Sequence, residues 1–99
     1  MNKAVCYIYA IRGLVSGSVK IGISRNVRQR MIVLKSSTAE PLELLVAVPG
    51  TRTDEKVAHI YCDAERISGE WFRPGKSVER LIRFMTERGR VTRSAWRLT

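Results

Sequence analysis

Apolar and polar positions alternate loosely from Ala4 to Arg12, in a stretch rich in Val, Ile and Tyr, and this predicts a strand. Gly13 through Ser18 holds two glycines and two serines and reads as a hairpin turn. Ser18–Ser24 returns as a second strand, with Val19, Ile21 and Ile23 on one face and Lys20 and Gly22 on the other. Ser24 or Asn26 can cap a helix through about Lys35, along which Val27, Met31 and Leu34 recur at helical spacing. After a loop over Ser36–Pro41, the near-continuous apolar run Leu42–Val48 reads as a well-buried third strand, bounded by Pro41 and by Pro49-Gly50.

Thr51-Arg52-Thr53-Asp54 offers cap chemistry for a second helix through about Ala64. Its expected apolar face is Val57, Ile60 and Tyr61, and Glu55, His59 and Asp63 stand four apart on an adjacent stripe. Arg66–Phe72 reads as a turn or a short extended piece ending in Trp71-Phe72. Ser77 is the expected cap of a third helix carrying Val78, Leu81, Ile82 and Met85, which ends near Gly89. The order is β-β-α-β-α-α. It predicts an α+β domain with a small three-stranded sheet and about three helices over residues 1–89, followed by a basic tail over 90–99.

Length and composition narrow the class. A chain of 99 residues that is 44% hydrophobic fits one folded domain and leaves little for a second. Its apolar runs are too short to span a bilayer, and Arg12 interrupts what could otherwise be a signal segment. Cys6 and Cys62 have neither metal nor redox spacing and read as buried thiols in a reducing, cytoplasmic setting. Two distant cysteines and one histidine cannot supply a zinc site.

Charge adds more. The formal net charge is +9, and residues 73–99 hold eight basic and two acidic residues against ten and seven in the first 72. Charge clustered within the screening length of about 8–10 Å acts locally on a partner. Polyanions are therefore the expected partner class, with nucleic acid first among them and no role for a membrane. Arg73, Lys76, Arg80, Arg83, Arg88, Arg90, Arg93 and Arg97 form the expected phosphate-tracking surface, with Arg80 and Arg83 off the apolar stripe of the third helix. Trp96 lies among the tail arginines.

Five short motifs follow in order. Tyr7-Ile8-Tyr9 ends eleven residues before Lys20-Ile21-Gly22, and Arg30 stands ten beyond Lys20. Glu55-x-x-x-His59 and Gly69-Glu70-Trp71-Phe72 come next. Together, over about Tyr7 to Phe72, they resemble the GIY-YIG endonuclease superfamily. The likeness is to its small branch, common in bacterial and phage reading frames and also named after a meiotically up-regulated gene, whose second motif is K-I-G-x-[ST].

The resemblance implies a three-stranded antiparallel sheet and in-line hydrolysis of a phosphodiester, most readily in DNA, with one divalent cation, Mg²⁺ or Mn²⁺. It gives catalytic roles to Tyr9, Lys20, Arg30 and His59. Glu55 is the first choice to hold the metal and Glu70 the runner-up. Phosphoryl transfer needs charge stabilisation at the equatorial oxygens, a deprotonated nucleophile and help for the leaving oxygen. An arginine fork such as Arg30 suits the first. Tyr9 can orient or deprotonate water. Lys20, where the wider superfamily has a second tyrosine, suits a phosphate ligand better than a base, because a free lysine titrates at about 10.4. Tyr7, Arg25 and Arg28 are expected at the edge of the site. Leu34 replaces a polar group found in many relatives.

Two other readings stay open. One is a catalytically degenerate nucleic-acid-binding module, which Lys20 and Leu34 favour. The other is a small phage-type regulator whose basic surface meets a protein partner. No added DNA-reading segment is visible, so a homodimer or a partner protein is the expected source of specificity.

Overall fold

The computed structural model describes residues 5–91. Chain order gives β1 (Tyr7–Gly13), β2 (Val19–Ser24), α1 (Val27–Ser37), β3 (Leu42–Pro49) and α2 (Arg52–Tyr61). A single 3-10 turn (Asp63–Glu65) then leads into β4 (Arg66–Ser68), β5 (Trp71–Phe72) and α3 (Lys76–Arg88). The class is α+β as the pattern predicts, but the antiparallel sheet has five strands, ordered β3-β1-β2-β5-β4. The extra two come from Arg66–Phe72, expected as a turn or extended piece. It closes a miniature hairpin whose second strand pairs Phe72 with Val19 and Trp71 with Lys20.

The hairpin from β1 to β2 is held from outside. Glu40 accepts the backbone N–H groups of Val15 and Ser16 and the Ser16 hydroxyl. Those three donors favour the carboxylate and hold the Glu40 pKa below its usual range, the Ser16 backbone contact contributing most.

Strand alternation divides the interior into two layers. Ile8, Ala10, Val19, Ile21 and Phe72 face Ala58 and Cys62 of the α2 segment and Val78, Leu81 and Met85 of α3. Tyr9, Ile11 and Leu42 face the other way, against Val27, Met31 and Leu34 of α1, with Trp71 alongside. One face thus carries α2 and α3 and the opposite face carries α1 alone.

Three local expectations change. Leu42–Val48 is an edge strand, with only Leu42 and Val48 buried along β3, because β1 and β2 take the interior places. Helix α2 ends at Tyr61, and its inward residues are Glu55 and Ala58, whereas Ile60 is exposed. Ser77 does not cap α3, since it lies inside the helix. The N-cap is Gly75, and the free N–H groups of Ser77 and Val78 point to the Glu65 carboxylate at 3.4 and 3.0 Å. Gly75 is needed there, for a Cβ would lie 2.3 Å from Glu65 atoms. Gly89 ends the helix in the left-handed region at φ 68°, as expected. Val91 beyond it is buried in the core. Among the described residues no helix is long and apolar enough to cross a membrane.

Candidate functional site

Tyr9 and Gly22 are paired across β1 and β2. Their shared face is the α1 side, and the phenol lies flat over the glycine. A Cβ at position 22 would stand 2.4 Å from the Tyr9 hydroxyl oxygen and 3.1 Å from Glu70 Oε1. Gly22 is therefore part of the site, because any side chain there would evict the tyrosine. Burial pushes the Tyr9 phenol up to about 12, the Glu70 and Glu55 charges add to it, and the Arg30 guanidinium opposes it. Burial thus favours the protonated phenol, which suits Tyr9 to orient a water or an oxygen.

Lys20 lies on the same face. Its Nζ is 3.0 Å from Glu70 Oε1 and stands 5.6 Å from the Trp71 ring centroid. The turn that delivers Glu70 is braced by one arginine. Arg66 Nε donates to Asp63 Oδ1 at 2.9 Å, Nη1 donates to the Gly69 carbonyl, and the guanidinium lies 4.9 Å from the centre of the Phe72 ring. Gly69 takes φ 56°, which allows so tight a reversal.

Helix α2 supplies the other side. Thr51 and Asp54 form a reciprocal capping box, which fixes the first turn and with it Glu55. Glu55 is only 8% exposed, and its Oε2 has no hydrogen-bond partner among the described residues. Burial raises the Glu55 pKa, and the neighbouring Glu70 charge and a hydrogen bond with Glu70 raise it further, while His59 and Arg52 partly offset this. Two carboxyl groups thus meet with fewer donors than they need.

His59 Nε2 is 4.0 Å from Glu55 Oε2 and 2.8 Å from the Ile21 carbonyl. A carbonyl only accepts, so Nε2 carries a proton and His59 fastens the edge of β2 where β5 has ended. The Glu70 carbonyl accepts the Ile21 N–H at 2.9 Å on the same edge. Asp63, the third member of the expected stripe, turns away to pair with Arg66.

Tyr9, Lys20, Glu55, His59 and Glu70 are therefore brought together, and the Arg30 guanidinium on α1 acts on Tyr9. Arg30 also lines an open cleft of about 810 Å³ with Arg25 and Arg52, between the N-terminal ends of α1 and α2. Tyr7 and Arg28 lie along a second groove on the other flank of α1, with Lys35 and Leu44. Arg73, Lys76, Arg80, Arg83, Arg88 and Arg90 are exposed, but α3 packs on the opposite face of the sheet from Tyr9. Arg93, Trp96 and Arg97 lie outside the described residues.

Gly22 and Arg52 are absent from the sequence-predicted site. A signal for the arginines of α1 and the cleft exists in the charge order. Residues 1–39 hold seven basic and no acidic residues, and Glu40 is the first acid of the chain. Residues 40–72 then hold seven acidic and three basic ones. A count over the first 72 averages these blocks away.

A metal ion here would rest on few protein ligands. Among the described residues no group of three or more His, Cys, Asp or Glu is arranged to hold one. The Glu55–Glu70 pair still suits a cation that keeps several of its waters, as Mg²⁺ does, and the unpartnered Glu55 Oε2 is an acceptor in want of such a partner.

No curated protein and no solved structure matches the chain. A family model does match, over residues 5–90, and it describes the T5orf172 domain, a domain found in phage proteins and associated with nuclease-type modules. With nearly the whole described structure inside that match, the chain belongs to the T5orf172 domain family.

Proposed function

We propose that this protein is a metal-dependent phosphodiester hydrolase of GIY-YIG type acting on nucleic acid, with DNA the preferred form. The observation that carries the reading is the buried, unpartnered Glu55 Oε2 beside Glu70, at a point where Tyr9 crosses a glycine made bare for it. A buried carboxyl oxygen left without a hydrogen-bond partner is costly, and proteins retain such groups where a ligand completes them. Glu55 and Glu70 would hold one Mg²⁺ or Mn²⁺. When bound, that ion supplies charge for the leaving oxygen and acidity to a water.

The chain's own groups do the rest. Arg30, exposed on α1, is free to take two phosphate oxygens at once. The Tyr9 hydroxyl, held protonated by its burial, positions the attacking water. Lys20 neutralises Glu70 until an anionic oxygen arrives and can then turn to that oxygen. His59 keeps β2, and so Lys20 and Gly22, in place beside Glu55, and its second nitrogen remains for proton transfer.

A second reading has one observation in its favour. The Lys20 ammonium at 3.0 Å already compensates Glu70 without any metal, which suits a module that binds nucleic acid and no longer cuts it. The deciding experiment incubates single- and double-stranded DNA and RNA with the protein in Mg²⁺, Mn²⁺ or EDTA, beside Arg30→Ala and Glu55→Gln. Cutting that needs metal and vanishes in both variants is expected. Binding without cutting under every condition gives the degenerate module. Neither binding nor cutting leaves a regulator that meets a protein partner.

A further inference from the structure

The cleft between the helix N-termini is not explained by the chemistry above. It is lined by Arg25, Arg30 and Arg52 together with the apolar Ile23 and Val33. At about 810 Å³ it falls within the roughly 300–1,000 Å³ that sites for small ligands span. Among the described residues no acidic side chain lines it.

Two further facts point to an anion. The Arg52 side chain, which lines the cleft, is 85% exposed and stands 3.9 Å from Glu55. Helix α1 has no acidic residue in its first turn, where negative charge would stabilise it, and instead follows Arg25 and carries Arg28 and Arg30. Positive charge at the positive end of a helix is unfavourable. An arrangement that weakens the free protein is retained most readily where a ligand reverses the cost.

We infer that this cleft is a second phosphate subsite, in which Arg25 and Arg52 hold a backbone phosphate of the nucleic-acid strand next to the one engaged by Arg30. The inference rests on the nucleic-acid reading for the identity of its ligand. The Arg52–Glu55 contact sets the spacing, because one arginine side chain separates the cleft from the carboxyl pair. The apolar Ile23 and Val33 in the lining then suit the sugar or base between two phosphates. A strand running from the cleft past Glu55 would be gripped on one side of the bond to be cut.

The test is made on the full chain in EDTA, so that cleavage plays no part. Inorganic pyrophosphate is titrated while backbone amide shifts are followed by NMR. A labelled oligonucleotide is then bound over a range of salt. Pyrophosphate is expected to move the amides of Arg25, Asn26, Thr51 and Arg52. Arg25→Gln with Arg52→Gln should remove those shifts and flatten the oligonucleotide salt slope by about one unit, the value of one phosphate contact. Lys56→Gln, which removes one positive charge outside the cleft lining, should leave both unchanged.

Pyrophosphate shifts elsewhere, or a double variant that behaves as Lys56→Gln does, would overturn the subsite. So would a glutamate-rich peptide that moves these amides where pyrophosphate does not. Intact shifts in a protein that never cuts would remove the hydrolase and keep the subsite. Cutting without the shifts would do the reverse.

Discussion

Gly22 ties backbone to chemistry within one residue. Replacing it with alanine puts a methyl group into the Tyr9 phenol, and overpacking of this kind costs about 1–3 kcal/mol. Gly22→Ala should lower the denaturation midpoint, and Tyr9→Phe in the same chain should recover part of the loss. Simple additivity of the two would show that they do not touch. Glu55 makes the second prediction. Its carboxyl pKa is raised in the fold, so the native state holds a proton that the unfolded chain has released. Stability therefore falls as pH rises from the ordinary carboxylate range through the raised value, and then levels. Glu55→Gln should abolish that slope and make the metal-free protein more stable near neutrality, while Mg²⁺ or Mn²⁺ should raise the melting temperature of the parent alone. Tyr9, Lys20, Glu55, His59 and Glu70 were legible because motif spacing survives without coordinates. Arg52 was not, because an arginine in a cap sequence reads as solvated surface until the cleft is seen.

Among the elements, legibility followed how local the determinants are. Asn26 and the Thr51–Asp54 box cap α1 and α2 from within a few residues, and both were readable. The cap of α3 was not, because Glu65 reaches it from the preceding 3-10 turn and supplants Ser77. Glu65→Ala should cost about 0.5–2 kcal/mol, as removal of a capping acceptor does, measured as a shift in urea midpoint with an unchanged m-value. Ser77→Ala should cost far less. A larger effect from Ser77 would return the cap to it. The pair β4 and β5 escaped notice for a related reason. Five residues in two strands carry no periodicity, and only the exposed backbone of β2 and the brace from Arg66 make them pair. The apolar run of β3 misled because edge position, which depends on sheet order, is invisible to hydropathy.

At the scale of the whole molecule the charge lies in blocks that the fold sorts by face. Within the acid-free first 39 residues Arg25, Arg28, Arg30 and Lys35 lie on or beside α1, whereas Arg12 crosses to pair with Glu79 of α3, and α3 carries Lys76, Arg80, Arg83 and Arg88 on the other side of the sheet. Removing residues 92–99, and with them Arg93 and Arg97, should flatten the salt dependence of nucleic-acid binding by up to about two units while sparing cleavage. The cut must leave Val91, which fills the core. An unchanged slope would free the tail of any phosphate contact. The acidic block between the two basic ones supplies the carboxyl pair, and the Lys20–Glu70 contact joins it to the first basic block. That contact makes the site a thermodynamic exchange. An anion that draws away the Lys20 ammonium leaves Glu70 uncompensated and sharpens its appetite for a cation. A cation that takes Glu70 frees the ammonium for an anion. Linked equilibria are reciprocal, so each helps the other by the same factor, and neither is held as tightly alone.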